Sequence, residues 1–135
     1  MDHITGEVIS AAITVHKELG PGLLESSYEA CLAFELMDRG LIAEKQKPLP
    51  VVYRGQQIDC GYRIDLLIED RLIVELKSVE KLLPIHTAQL LSYLRLSNLQ
   101  VGLLLNFNVL QLKDGLRRVV NQYAENPQRS LRSQR

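Results

Sequence analysis

The chain has 135 residues, 46% of them hydrophobic, and carries 16 basic against 16 acidic side chains. That is the size of one domain with an adequate core, and a net charge of +0 excludes a global positive field that would draw the molecule onto nucleic acid, so any such contact has to be local. No stretch approaches the roughly 18 apolar residues of a membrane span and the first residues carry no signal-peptide pattern, so a cytoplasmic protein without membrane contact is expected.

In chain order, Ile4, Val8, Ala11, Ala12, Val15 and Leu19 recur at helical spacing and predict an amphipathic helix that stops at Gly20-Pro21-Gly22. His16 lies near its inward face and is expected to be a hydrogen-bonded imidazole outside any site. A second helix is predicted from about Leu24 to Arg39, with Tyr28, Leu32 and Leu36 on one stripe and Gly40 as its C-terminal stop. Extended structure follows over Leu41 to Lys47, is broken by Pro48 and Pro50, and resumes at Val51-Val52-Tyr53 before a turn at Arg54-Gly55. Tyr62 to Ile68 and Leu72 to Lys77 are two β-prone runs joined by a short acidic connection. Pro84 opens a third helix reaching about Asn98, Val101 to Phe107 reads as a buried strand broken only by Gly102 and Asn106, and Leu116 to Val120 adds a last strand. Residues 1–121 form the expected domain and 122–135 a polar tail with Arg129, Arg132 and Arg135. Cys31 and Cys60 lack the spacing of a zinc site or disulfide framework and are expected to be reduced packing residues. The order predicts an α/β fold of α+β character: a meander with helices packed on it and one crossover at the late helix.

The hairpin around Glu69-Asp70-Arg71 carries the chemistry. A three-residue loop pairs Ile68 with Leu72 and sets Asp65 opposite Glu75. Arg63, Asp65, Leu67, Ile73, Glu75 and Lys77 then share one face, and Tyr62, Ile64, Leu66, Ile68, Leu72, Val74 and Leu76 the other. A two-residue loop mixes a carboxylate into the apolar face, so the segregated pattern selects the first register. Two opposed carboxylates repel unless a cation or proton intervenes. Asp65, Glu75, a backbone carbonyl (that of Leu76) and water suit Mg²⁺ or Mn²⁺, with Lys77 placed to orient water or stabilise developing charge. The same pattern also suits a surface cluster in which Lys77 neutralises Glu75. Glu25 shares the stripe of Tyr28 and Leu32 and is expected to point inward, either as a helix N-terminal charge or as a third acidic ligand. His86, Gln89 and Tyr93 share a face of the third helix, as ordinary surface residues or as groups positioning a phosphate backbone or the lysine.

Gly22-Leu23-Leu24-Glu25-Ser26-Ser27-Tyr28 has the form GxxExxY and resembles the signature of the bacterial and archaeal GxxExxY protein family. The resemblance continues through Asp65, Glu75-Leu76-Lys77, Gln89 with Tyr93, and the strand ending at Phe107, and covers the chain to about Val120. It implies a restriction-endonuclease-like PD-(D/E)xK core, a mixed central sheet flanked by helices. It implies Asp65 and Glu75 as metal-binding acids, Lys77 as catalytic lysine, Glu25 as the acid of the first core helix, and Gln89 and Tyr93 as a QxxxY element; Tyr28, as part of the signature, joins the substrate-positioning candidates. Ile64 stands where the superfamily name has proline. The expected activity is metal-dependent hydrolysis of nucleic-acid phosphodiesters, on DNA. The alternative is a non-catalytic module binding nucleic acid through Arg117, Arg118 and the tail, or binding a partner protein or second copy through Leu82-Leu83 or Leu103 to Leu105.

Overall fold

The computed structural model describes residues 2–122, so the tail arginines lie outside the described residues. Its elements are α1 (Asp2–Leu19), α2 (Glu25–Asp38), β1 (Ala43–Pro48), β2 (Val51–Tyr53), β3 (Gln56–Ile58), β4 (Arg63–Ile68), β5 (Leu72–Lys77), α3 (Pro84–Ser97), β6 (Val101–Asn106) and β7 (Leu116–Val120). A central sheet in the order β1-β4-β5-β6-β7 is antiparallel except where β5 runs parallel to β6. The α3 crossover makes that parallel pair possible, because parallel neighbours cannot be joined by a tight turn. The result is the expected mixed sheet flanked by helices.

The sheet separates two cores. Val8, Ala12, Tyr28, Leu32, Leu66, Val74 and Leu103 belong to one, between the sheet and α1 and α2; Ile64, Leu67, Ile73, Leu90, Leu94 and Leu104 belong to the other, beneath α3. Residues 101 to 107 are all buried, as a central strand covered on both faces must be. Leu103, Leu104 and Leu105 are therefore core and not an interface; Leu82 is also buried, while Leu83 is exposed. Gly102 lets α3 come close, since a Cβ there would lie 2.8 Å from Leu90 Cδ1.

Several boundaries moved for local reasons. Leu41 N–H bonds back to Leu36 O at 3.0 Å and closes α2 with Gly40 at φ 82°, so β1 starts later than the apolar pattern suggests. The turn at Arg54-Gly55 returns into β3, which pairs with β2 as a separate hairpin; its three exposed residues carry no alternation to reveal it. Cys31 and Cys60 are free but exposed, not packed: Cys31 sits one residue off the Tyr28–Leu32–Leu36 stripe and so turns away from the sheet. His16 is buried and its Nε2 lies 2.8 Å from Val109 O, the satisfied imidazole expected. Among the described residues no helix is long and apolar enough to cross a membrane.

Candidate active site

The β4–β5 pairing runs Ile68↔Leu72, Leu67↔Ile73 and Leu66↔Val74, which is the predicted register. Beyond Leu66 side chains take over from the ladder. Asp65 N–H donates to Glu75 Oε2 at 2.8 Å, and Leu76 N–H donates to Asp65 Oδ2 at 2.9 Å. On the other flank, β1 pairs with β4 through Lys45↔Leu66 and again at Lys47↔Ile64, with Gln46 at φ 53° between them. Gln46 turns its amide inward, donating to Glu29 Oε1 at 2.6 Å and Asp65 Oδ1 at 3.3 Å. Asp65 thus marks a break in the regular ladder on both sides.

The break changes one expectation. Strict alternation places Ile64 with Leu66, yet Ile64 packs with Leu67 and Ile73 beneath α3. Asp65 lines a hollow of about 350 Å³ on the α2 side together with Glu25, Glu29, Gln46 and Leu76. Lys77 lines a separate cavity of about 570 Å³ with Val51, Tyr62, His86, Gln89 and Tyr93. The single clean face predicted for Arg63, Asp65, Glu75 and Lys77 is therefore divided between two openings. Glu75 lies between Val74 and Leu76 in β5 and is only 5% exposed.

The electrostatics join the two openings. Burial pushes the Glu75 carboxyl up to about 8, with the neighbouring Asp65 charge adding to the rise; the Asp65 N–H and the Lys77 ammonium oppose it. Burial also raises Asp65 above the usual carboxylate range, against the Leu76 N–H, Gln46 and Lys77. Glu29 is raised by burial and by the Asp65 and Glu25 charges, with Gln46 and Lys45 opposing. Tyr93 is raised by burial and then by the charges of Glu75 and Asp65. Three raised acids around one break make a site short of positive charge, where Lys77 is the cation that acts on both Asp65 and Glu75.

This donor set fits a hard divalent ion. Asp65 and Glu75 each use one carboxylate oxygen on the neighbouring strand's backbone, the other Asp65 oxygen accepts only the longer Gln46 contact at 3.3 Å, and Leu76 lines the hollow that Asp65 opens into. Among the described residues no three His, Cys, Asp or Glu side chains converge as a ready-made cage. Glu25 does not point inward as expected, though it holds the helix N-terminal position and lines the same hollow as Asp65. It is exposed at the first residue of α2, where the helix has run past the end of β5, and its Oε1 accepts the Ser78 N–H at 3.2 Å.

Tyr28 lines neither opening. It is fully buried, its hydroxyl donates to Gly20 O at 2.6 Å and accepts the Leu23 N–H at 3.1 Å, and its ring stacks on Phe107 with centroids 4.5 Å apart. Gly22, at φ 102°, adopts the left-handed backbone that this tied loop needs. The Gly22, Glu25 and Tyr28 pattern thus fastens the α1–α2 loop and α2 to the end of β5.

Sequence reasoning missed Glu29, Gln46 and Asn106. Asn106 is buried and holds the segment after Lys77: its Oδ1 accepts the Val79 N–H at 3.1 Å and its Nδ2 donates to Val79 O at 2.9 Å. Phe107 N–H donates to Lys77 O at 2.9 Å, and Ser78 Oγ donates to Leu23 O at 2.6 Å, so consecutive residues from Lys77 to Val79 are pinned. A lone amide in an otherwise apolar strand was the available signal for Asn106. Of the third-helix candidates, Gln89 and Tyr93 share the cavity with Lys77; His86 lines it too, while its Nδ1 accepts the Leu83 N–H at 3.0 Å at the start of α3. Arg117 and Arg118 are exposed on β7, 3.4 Å from Thr87 Oγ1 and from Asp2 Oδ1 respectively.

A family model, that of the PD-(D/E)XK nuclease superfamily, matches residues 2–119. No curated protein and no solved structure matches the chain.

Proposed function

We propose, since the chain belongs to the PD-(D/E)XK nuclease superfamily, that it is a metal-dependent nuclease hydrolysing phosphodiester bonds in DNA at the break around Asp65. The observation that carries the reading is the pair of bonds that cross between β4 and β5, Asp65 N–H to the buried Glu75 carboxylate and Leu76 N–H to the half-buried Asp65 carboxylate, with both acids raised and Lys77 acting on both. A fold gains nothing from two such acids unless their charge is used.

Asp65, Glu75 and the Leu76 carbonyl are the groups that would hold Mg²⁺ or Mn²⁺. Such an ion, when bound, supplies Lewis acidity toward a phosphoryl oxygen and makes water more acidic. Lys77, its backbone carbonyl held by the Phe107 N–H and the chain after it by Asn106 on Val79, directs its ammonium at the negative charge that builds on the phosphoryl oxygens as a water oxygen bonds to phosphorus and the bond to the departing sugar oxygen breaks. The departing oxygen leaves with a proton. Gln89 and Tyr93 hold the strand beside Lys77, and Glu25 acts as a positioning residue through Ser78. Within the superfamily the GxxExxY group is the best fit, supported by the structural work of Gly22, Glu25 and Tyr28.

The test is cleavage of labelled DNA with Mg²⁺ or Mn²⁺ by the wild type and by Lys77→Ala. The expected result is a loss of about 10²- to 10⁴-fold in the variant with an unchanged melting temperature. Equal activity in both proteins removes Lys77 from the mechanism. No cleavage by the wild type, combined with binding that weakens as Arg117 and Arg118 are replaced, favours a non-catalytic module instead.

A further inference from the structure

The cavity beneath α3 is larger than a metal and its waters require, and its lining is unlike the acidic hollow on the α2 side. Tyr62 and Tyr93 meet edge to face, with ring centroids 5.9 Å apart and planes at 63°. Val51 and Ile85 extend the apolar wall, while Gln89 and Lys77 bring hydrogen-bonding groups to the same space of about 570 Å³. Tyr62 remains 44% exposed and Ile85 67%, so these surfaces face solvent in the absence of substrate. Flat aromatic surface with an amide at its edge is what an unstacked nucleobase needs: a ring to lie on and donors and acceptors to meet its edge.

Charge supports the same occupant. The molecule has net charge +0, and the site itself gathers Glu25, Glu29, Asp65 and Glu75, so it has little of the positive surface on which duplex binders rely for affinity. Binding energy that phosphate contacts do not supply has to come from stacking. Because Lys77 belongs both to the cavity and to the electrostatics of the acid pair, whatever fills the cavity is part of the substrate near the reacting phosphate. A paired base in a duplex is stacked on both sides and cannot enter.

We infer that the cavity walled by Tyr62, Tyr93, Val51 and Ile85 receives the base of an unpaired nucleotide next to the bond to be cut, so that the substrate is single-stranded or locally unpaired. This deepens the nuclease reading and rests on it for the position of the phosphate. Tyr62 is the stacking platform and Gln89 meets the edge of the base. β2 extends the surface: Tyr53, two residues from Val51 and so on the same side of the strand, is exposed and carries the Arg54 guanidinium 5.4 Å from its ring centroid. It supplies a second platform for the next base.

The test measures binding by fluorescence anisotropy in Ca²⁺, alongside cleavage in Mn²⁺. The probes are a labelled single-stranded DNA of roughly 12 nucleotides, the same strand with abasic residues at its centre, and the same strand annealed to its complement. The single strand is expected to bind more tightly than either of the others, Tyr62→Ala to weaken it about 5- to 100-fold, and Tyr62→Phe to restore it, all at unchanged melting temperature. Equal binding of intact, abasic and duplex probes overturns the inference, as does indifference to Tyr62→Ala or no binding of any probe. The nuclease reading fails separately: stacking-dependent binding without cleavage in Mn²⁺ sinks that reading and leaves the base site standing, whereas Lys77-dependent cleavage that ignores Tyr62 does the reverse.

Discussion

At its turn the β4–β5 hairpin pairs Ile68 with Leu72 and Leu67 with Ile73, and every one of these side chains is buried in one of the two cores. At the far end of the same two strands the backbone of Asp65 and Leu76 bonds to carboxylates instead, and Gln46 reaches in from β1. The closed end is stabilised by burial of apolar surface, the open end by hydrogen bonds to two acids that burial makes reluctant to ionise. The candidate site therefore lies where the sheet gives up its own hydrogen bonding, next to a closed end packed into both cores.

If this division is right, damage to the two ends has opposite consequences. Ile73→Ala removes a fully buried side chain beneath α3 and is expected to destabilise the fold by about 2–5 kcal/mol, read by denaturant unfolding, while cleavage below the melting transition persists. Glu75→Gln acts at the other end with the other sign. In the metal-free protein Glu75 stays neutral up to about 8, against the 4.5 of an ordinary glutamate. A raised carboxyl contributes stability that is complete below about 4.5 and is lost as pH rises through about 8. Without metal, the wild type should lose stability across that window, and Glu75→Gln should exceed it at alkaline pH by on the order of a few kcal/mol while abolishing cleavage. A residual slope in the variant is expected from Asp65, whose carboxyl is raised too. Equal stability of the two proteins at all pH values would show that the open end bears no electrostatic strain. The smallest effect belongs to Tyr28→Phe, which removes two hydrogen bonds within the α1–α2 loop and should cost about 1 kcal/mol in thermal unfolding with activity retained.

The same two ends mark what the sequence made legible. At the closed end, apolar alternation and a Glu-Asp-Arg connection determine the register, and pairing follows from it. The order of helices and the crossover through α3 were readable for the same reason: periodicity reports burial. At the open end periodicity fails, because Ile64 and Asp65 leave the alternating pattern where Gln46 takes a left-handed conformation. Nothing local in Glu-Lys-Gln-Lys announces that conformation. Glu25 misled in a related way: helical phase places it on the stripe of Tyr28 and Leu32, which are buried as that phase requires, but phase does not say where the sheet ends beneath the helix, and Glu25 is exposed on the Ser78 N–H. Gln46 and Glu29 meet only through tertiary packing of β1 against α2, which no single-sequence pattern encodes.

The central claim, that Asp65 and Glu75 share one divalent ion, is tested most directly by anomalous diffraction from crystals grown with Mn²⁺. The account predicts a peak between the two carboxylates and beside the Leu76 carbonyl, absent in Glu75→Gln. Clear density for both side chains with no peak there, or a peak that persists in Glu75→Gln, would contradict it.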